Sequence, residues 1–155
     1  MELLILRSNL KDGSKMTLEI NDKQYFTPDI EDIRVGYECE LLMNMNVDIL
    51  KSTNLPPEYK PFVFEKWKMG IVDDVFGSIR TSYLTKEQIE AEGWIYTDIN
   101  QYHKEDKYLR VLIGYVDDTI IDLRVSIFTH NGTLFYGECK SVNEFRYICK
   151  LLKIN

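Results

Sequence analysis

The fold of this chain is decided by YLRVLIGYVDDTIIDLRVSIFTHNGTLFYGEC, residues 108–139. Apolar residues recur at every second position in its first two segments, which is the pattern of β-strands with one buried face. The residues 117–119, Asp-Asp-Thr, indicate a turn between these segments, and Asn131-Gly132 strongly favours a tight hairpin turn into a third strand. We therefore predict a three-stranded antiparallel meander.

The alternation divides the side chains of the meander between two faces. The residues expected to face the core are Leu109, Val111, Ile113, Tyr115, Ile121, Leu123, Val125 and Ile127. Asp122, Arg124 and Ser126 alternate with them in the second segment and are expected to face solvent.

A helix is predicted directly after the meander. Ser141 is placed as its N-cap, and Glu144 stands three residues later, where a capping box places an acidic residue. The apolar positions of this helix, from Val142 to Leu152, follow the helical period, so one face can lie on the sheet.

A shorter helix is predicted at LTKEQIEAEGW, residues 84–94. Thr85 and Gln88 form a second capping box, and Gly93 is placed to end the helix in a left-handed conformation. Because about two turns are not stable alone, the helix must dock through Leu84 and Ile89.

The remaining segments predict further strands and one long loop. Strands are expected at residues 16–26, as a hairpin, and at residues 37–43, 62–75, 78–84 and 94–99. Residues 44–61, which end in NLPPEYKP, predict a functional or mobile loop, because Pro-Pro resists helices and strands. The prediction is a single α+β domain, 1–155, with a mainly antiparallel sheet, one short internal helix and one C-terminal helix.

The formal net charge of −6 is concentrated in one part of the chain. The stretch from Glu19 to Asp48 holds eight acidic residues and two basic ones. This balance disfavours direct binding to nucleic acid phosphates. An acidic surface instead suits a basic partner, such as a protein that itself binds nucleic acid.

Three widely spaced cysteines and two distant histidines favour neither a disulfide framework nor a compact zinc site. The N-terminus lacks the pattern of a signal peptide, and no apolar run is long enough to span a bilayer. We therefore expect a cytoplasmic protein, and we predict no metal and no cofactor. His103 is expected in a polar loop and His130 at a hairpin turn, without catalytic partners.

One pattern points to an enzyme. Glu138 and Lys140 stand two apart at the end of a strand, with Asp122 on the preceding strand, as in the PD-(D/E)xK nucleases. Two carboxylates there would hold a divalent cation, and the lysine would stabilise charge near the phosphate. Against this, the nuclease core needs a helix before the meander and another strand after the last helix. The simpler interpretation is a strand end followed by a capped helix.

Ten tyrosines and two tryptophans are more than one core of this size can bury. Exposed tyrosine and tryptophan side chains are common anchors of protein interfaces. Combined with the acidic stretch, they define the predicted partner-binding residues: Asp29, Glu31, Asp32, Glu38, Glu40, Tyr59, Trp67 and Trp94.

Two segments carry a resemblance to a known family. LTKEQIEAEGW at residues 84–94, and LFYGECKSVNEFRYICKLL at residues 134–152, resemble a broad family of small phage and mobile-element proteins of Bacteroidota-type bacteria. The resemblance implies a phage-infected bacterial cytoplasm as the setting, and it supplies no activity. In that family the GECK segment corresponds to a strand-to-helix junction.

Three functional hypotheses remain open at this point. The leading one is a non-enzymatic phage-type accessory protein that binds and inhibits a host protein, such as a CRISPR nuclease or another defence effector. The second is a small-ligand binder, for example a nucleotide sponge with a pocket at an oligomer interface. The third is the metal-dependent nuclease.

Overall fold

The computed structural model describes residues 24–43, 58–72, 76–117 and 119–154. Its strands are β1 (Tyr25–Phe26), β2 (Glu38–Leu42), β3 (Tyr59–Val63), β4 (Ile79–Ser82), β5 (Ile95–Asp98), β6 (Gln101–Lys104), β7 (Lys107–Val116), β8 (Thr119–Thr129) and β9 (Gly132–Glu138). Its helices are α1 (Lys86–Ala91) and α2 (Val142–Leu151), with short 3₁₀ helices at Ile30–Asp32, Lys66–Ile71 and Phe76–Ser78. The predicted α+β class with a mainly antiparallel sheet is confirmed. The first part of the predicted N-terminal hairpin and most of the predicted loop lie outside the described residues.

The larger sheet has the order β5-β6-β7-β8-β9, and every neighbouring pair is antiparallel. Its last three strands are the predicted meander. Leu123, Val125 and Ile127 on β8 are fully buried, and they form the centre of a core with both helices. The alternation over residues 108–113 and 123–127 therefore set the inner face of these two strands, as predicted.

The predicted alternation is wrong at Ile121. This side chain is 62% exposed, whereas the preceding Ile120 is buried. The register shifts here, because Gly114 pairs with Asp122 while the next residue, Tyr115, pairs with Ile120. Ile121 is thus the extra residue of a bulge, and a bulge moves the residues on one side of it to the opposite face.

The smaller sheet has the order β1-β4-β2-β3. Its buried face contributes Cys39 and Ile79 to a second cluster with Ile33, Tyr37, Phe64 and Val72. Among the described strands β3 lies at the edge, which is where a sheet tolerates a proline such as Pro61.

The predicted strand over residues 62–75 is wrong for most of its length. Strand β3 ends at Val63, and a 3₁₀ helix occupies Lys66–Ile71. Continued alternation would have placed Lys66 and Lys68 on the same face as Phe64, which is fully buried. The 3₁₀ helix instead packs Met69 against the smaller cluster.

Helix α1 begins and ends as its sequence predicts. The Thr85 hydroxyl accepts a hydrogen bond from the Gln88 N–H, and the Gln88 side chain accepts one from the Thr85 N–H. Gly93 has φ +82°, and its N–H donates to the Glu90 carbonyl. The Trp94 N–H then donates to the Ile89 carbonyl, which completes a Schellman motif.

Helix α2 begins at the predicted cap, where the Ser141 hydroxyl accepts from the Glu144 N–H. The Glu144 carboxylate reaches back one residue further than a capping box requires and accepts from the Lys140 N–H at 2.7 Å. Phe145 and Ile148 pack into the larger core. No helix among the described residues is long and apolar enough to cross a membrane.

Candidate protein-binding surface

The predicted partner-binding carboxylates fall into two groups, and Glu40 belongs to the group that is already neutralised. Its carboxylate pairs with Arg80 at 2.7 Å and accepts a hydrogen bond from the Tyr25 hydroxyl at 3.0 Å. The Arg80 guanidinium lies between the rings of Tyr25 and Tyr59, 3.8 and 3.7 Å from their centroids. Glu40 and Tyr59 therefore belong to one cluster of side chains that joins all four strands of the smaller sheet.

Glu38 is engaged in the same way. Its carboxylate pairs with Arg146 on α2, and the same guanidinium pairs with Glu92 at 2.6 Å. Glu38 thus links β2 to α2. Glu38 and Glu40, two of the predicted partner-binding residues, thus each have an ion-pair partner within the fold.

Asp29, Glu31 and Asp32 form the second group, and all three are exposed. They occupy the 3₁₀ helix Ile30–Asp32 and its N-cap, and none of them forms an ion pair with another described residue. The Asp32 N–H donates to the Asp29 carbonyl at 3.0 Å, so the segment has a defined turn. We call Asp29–Asp32 the acidic segment. It also exposes 40% of the Ile30 side chain.

Trp67 is the most exposed large hydrophobic residue that the structure describes, with 75% of its surface accessible. Its indole N–H donates to the Glu65 carboxylate at 2.6 Å, and the Lys68 ammonium lies 5.1 Å from the ring centroid. These contacts restrain the ring while its surface stays available. An exposed, restrained tryptophan is a typical anchor for a protein partner.

The acidic segment and the helix that carries Trp67 are attached to the same small core. The first ends next to Ile33 and the second ends next to Val72, and both of these residues belong to the smaller buried cluster. The Gly36 N–H also donates to the Phe64 carbonyl, which ties the two segments together. Both features are therefore attached to the same buried cluster.

Trp94 was predicted as a partner-binding residue, but it is buried and does not belong to this surface. Only 2% of its surface is exposed, and its ring packs 6.0 Å from that of Phe145 in the larger core. The signal that places it there was present in the sequence. In a Schellman motif the residue after the glycine packs against the last turn of the helix, here at Ile89.

The residues of the nuclease hypothesis share one face of the larger sheet but do not form a free carboxylate pair. Glu138 is the cross-strand neighbour of Arg124, and Asp122 lies two residues before Arg124. Asp122 pairs with Arg124 at 3.0 Å, and Glu138 pairs with Lys140 at 2.8 Å. A divalent cation would have to displace Arg124 in order to bring the two carboxylates together. Across the described ranges, no group of three or more His, Cys, Asp or Glu side chains could hold a metal ion.

The histidines and cysteines show no catalytic arrangement in the part of the chain that the structure describes. His103 lies on strand β6 and not in the predicted loop, and His130 Nε2 lies 3.2 Å from the Tyr108 hydroxyl. The three cysteines are buried and free. Burial raises the pKa of Cys39 to about 11, which disfavours the reactive thiolate.

Comparison of the sequence and the structure with known proteins identifies no relative. No family model matches the chain, no curated protein matches it, and no solved structure matches it.

Proposed function

We propose that this chain acts by binding another protein, without catalysing a reaction, through the acidic segment and Trp67. The observation that carries the proposal is the division of the predicted carboxylates. Glu38 and Glu40 are used inside the fold, whereas Asp29, Glu31 and Asp32 are exposed without an ion pair in the described residues. Charges that the fold does not use are available to a partner.

The chemistry of the surface indicates a basic partner. The chain carries a net charge of −6, and exposed carboxylates on such a chain attract a basic surface and accelerate association. Ile30 and Trp67 supply the apolar area that charge pairs alone do not provide. A protein that binds nucleic acid has such a basic groove, so the acidic segment would compete there with phosphates.

The resemblance to phage and mobile-element proteins extends this proposal to a biological role. In a phage-infected bacterial cytoplasm, an acidic protein that occupies the nucleic-acid groove of a defence effector would inhibit it. The proposed role is therefore a phage-type accessory protein that acts against host defence, with a CRISPR nuclease as one candidate target.

The test is an affinity capture from the lysate of a Bacteroidota host, at low and at high salt, with mass spectrometry of the retained proteins. One basic protein should be retained at low salt and released at high salt. The triple variant Asp29→Lys, Glu31→Lys, Asp32→Lys should bind that protein at least about tenfold more weakly, because close charge pairs contribute several kilocalories per mole in total.

The matched control reverses three exposed acids elsewhere, Glu87, Glu90 and Glu105, and changes the net charge by the same amount. It should bind within about twofold of the unmodified chain. Equal weakening by both triple variants would show that only net charge matters and would overturn the assignment of the surface. Retention of no protein would overturn the proposal itself.

The anchor is tested separately. Trp67→Ala should weaken the captured interaction by about tenfold or more, which is the usual effect of removing a tryptophan hot spot. Tyr136→Ala is the control, because Tyr136 is 58% exposed on strand β9 of the larger sheet, whereas Trp67 follows the smaller sheet. A stronger effect of the control would place the interface on the larger sheet.

A further inference from the structure

A second feature, unrelated to the acidic segment's role, is a pocket of about 290 Å³ where helix α2 meets the turn before β2. Its lining residues are Arg34, Val35, Gly36, Tyr37, Asn143, Arg146, Tyr147 and Lys150. Three of these eight residues are cations and none is an acid. That balance is unusual in a chain whose net charge is −6.

One face of α2 supplies half of the pocket. Asn143, Arg146, Tyr147 and Lys150 stand at intervals of three and four residues, so they form a single stripe along the helix. The stretch from Lys140 to residue 155 carries four basic residues and one acidic residue, and two of the four lie on this stripe. The helix thus presents positive charge to the pocket.

A tight turn supplies the opposite wall. The Tyr37 N–H donates to the Arg34 carbonyl at 2.9 Å, and Gly36, the third residue of the turn, has φ +88°. A type II turn requires a positive φ at that position, which glycine adopts without strain. The turn therefore holds Arg34 at a fixed place beside the helix.

Arg34 is oriented by an aromatic ring and not by an acid. Its guanidinium lies 4.2 Å from the centroid of the Tyr147 ring. Stacking fixes the plane of the guanidinium but leaves its N–H groups available for an anion. A planar, pre-oriented guanidinium can bind two oxygens of a phosphate at once.

The charges around the pocket do not cancel. Arg146 pairs with two carboxylates, those of Glu38 and Glu92, so these three side chains together carry one negative charge. Arg34 and Lys150 form no ion pair with any residue that the structure describes. Two positive charges are thus available.

The nearby polar groups leave these two cations unopposed within the pocket. The Asn143 amide is fully used by the backbone of Glu38, and the buried Tyr37 hydroxyl accepts from Thr81. Three acids lie close to the lining residues in sequence, Asp32, Glu38 and Glu144, and none of them lines the pocket.

We propose that this pocket binds the phosphate group of a small phosphate monoester, such as a nucleoside monophosphate. Arg34 would bind two phosphate oxygens, Lys150 would supply the second positive charge, and Val35 and Tyr147 would contact the organic part. A phosphate monoester carries nearly two negative charges at neutral pH, which matches the two available cations. A nucleic acid strand is disfavoured, because the pocket is small and the chain as a whole repels a polyanion.

The test is to titrate the full chain with inorganic phosphate and, separately, with adenosine 5′-monophosphate. Binding is monitored through the NMR shifts of the backbone amides. Saturable shifts are expected at the amides of Gly36, Tyr147 and Lys150. The double variant Arg34→Gln, Lys150→Gln should weaken binding at least about tenfold, because each charge-assisted hydrogen bond is among the stronger kinds.

The control is the double variant Arg110→Gln, Lys66→Gln, which removes the same charge from positions outside the pocket. It should bind both probes within about twofold of the unmodified chain. If the first double variant does not fold, as judged by circular dichroism, Lys150→Gln alone replaces it, since Lys150 makes no ion pair with a described residue.

Three outcomes would overturn the proposal: no saturable shifts with either probe, shifts centred away from the pocket, or equal weakening by the control. Tighter binding of a single-stranded oligonucleotide than of the mononucleotide would also contradict it. None of these outcomes bears on the acidic segment, so the two proposals can fail independently.

Discussion

The side chain of Asn143 forms two hydrogen bonds with the backbone of Glu38, which lies 105 residues away in the sequence. It thus pairs with both backbone groups of Glu38, as a residue of a neighbouring strand would. Its amide oxygen accepts from the Glu38 N–H at 2.8 Å, and its amide nitrogen donates to the Glu38 carbonyl at 2.9 Å. Asn143 is buried on α2, which packs on the larger sheet, whereas Glu38 begins strand β2 of the smaller sheet. One side chain therefore satisfies both backbone groups where helix α2 meets strand β2.

Replacing Asn143 by leucine should destabilise the fold by about 2–4 kcal/mol, because both backbone groups of Glu38 lose their partner in a part-buried site. Asn143→Asp should also destabilise the fold, since it keeps the acceptor but places a carboxylate oxygen against the Glu38 carbonyl in a buried site. Urea denaturation followed by circular dichroism measures both.

Glu38→Ala is the control for this prediction. It keeps the backbone groups that Asn143 binds and removes only the ion pair with Arg146, whose side chains are 46% and 41% exposed. Such a pair contributes about 0–1 kcal/mol. A larger loss for Glu38→Ala than for Asn143→Leu would show that the side chain of Glu38, and not its backbone, holds the junction.

Arg80→Lys should destabilise the smaller sheet by about 1–2 kcal/mol. Lysine keeps the charge, but it cannot stack its plane between Tyr25 and Tyr59 while pairing with Glu40. The same change at Arg110, an exposed position of β7, should leave the denaturation midpoint within about 0.5 kcal/mol. Equal effects at the two positions would rule out a structural role of the stack.

The raised pKa of Glu144 should make the stability of the fold depend on pH. Burial raises its pKa above the ordinary value of 4.5, against the opposing effect of the Lys140 N–H. The folded chain therefore binds the proton of the Glu144 carboxyl more tightly than the unfolded chain does. As a result, the fold loses stability as the pH rises from 4.5 through the raised pKa of Glu144. Above that window the cost is fully present.

Glu144→Gln removes this cost and keeps an oxygen for the Lys140 N–H. The stability of the variant relative to the unmodified chain should therefore increase between pH 4 and pH 7, as measured by urea denaturation at each pH. A relative stability that stays constant, or that falls with rising pH, would show that the carboxylate of Glu144 is not disfavoured in the fold.

Lys153→Gly should stabilise the chain by roughly 0.5–1 kcal/mol, because a residue with a Cβ is strained in the left-handed region. Lys153 has φ +55° at the end of α2, where its N–H donates to the Lys150 carbonyl and the Ile154 N–H donates to the Cys149 carbonyl. This is the same motif that ends α1, but without the glycine.

Gly93→Ala is the opposite substitution at the end of α1. It should lower the free energy of unfolding by about 1 kcal/mol. Thermal unfolding of both variants measures the effect. A destabilising Lys153→Gly together with a neutral Gly93→Ala would show that the left-handed positions do not carry the expected strain.

Local signals in the sequence predicted the elements whose causes are local. Thr85 and Gln88 predicted the start of α1, and Asn131-Gly132 predicted the β8–β9 hairpin, since each depends on residues a few positions apart. The sequence predicted the wrong face for Ile121. A bulge on β8 moves the side chains on one side of it to the opposite face, and no residue type in the sequence indicates this bulge.

The candidate site was predicted only in part, because charge in a sequence does not reveal which charges the fold neutralises. Glu38 pairs with Arg146, which lies 108 residues later in the sequence. The residues around Glu38 do not indicate this ion pair. The exposure of Asp29, Glu31 and Asp32 was predictable from their place beside Pro28 and outside the strands. The cationic pocket was missed, although the spacing of Arg146, Tyr147 and Lys150 on α2 was visible.

The contact between helix α2 and strand β2 can form only after nearly all of the described chain has been synthesised. Phe145 and Ile148 bind the helix to the larger core, while Asn143 and Arg146 hold strand β2. Because 105 residues separate Glu38 from Asn143, a ribosome needs about 5 to 20 seconds to make the second after the first. Strand β2 is therefore translated early, and its contact with α2 is among the last to form.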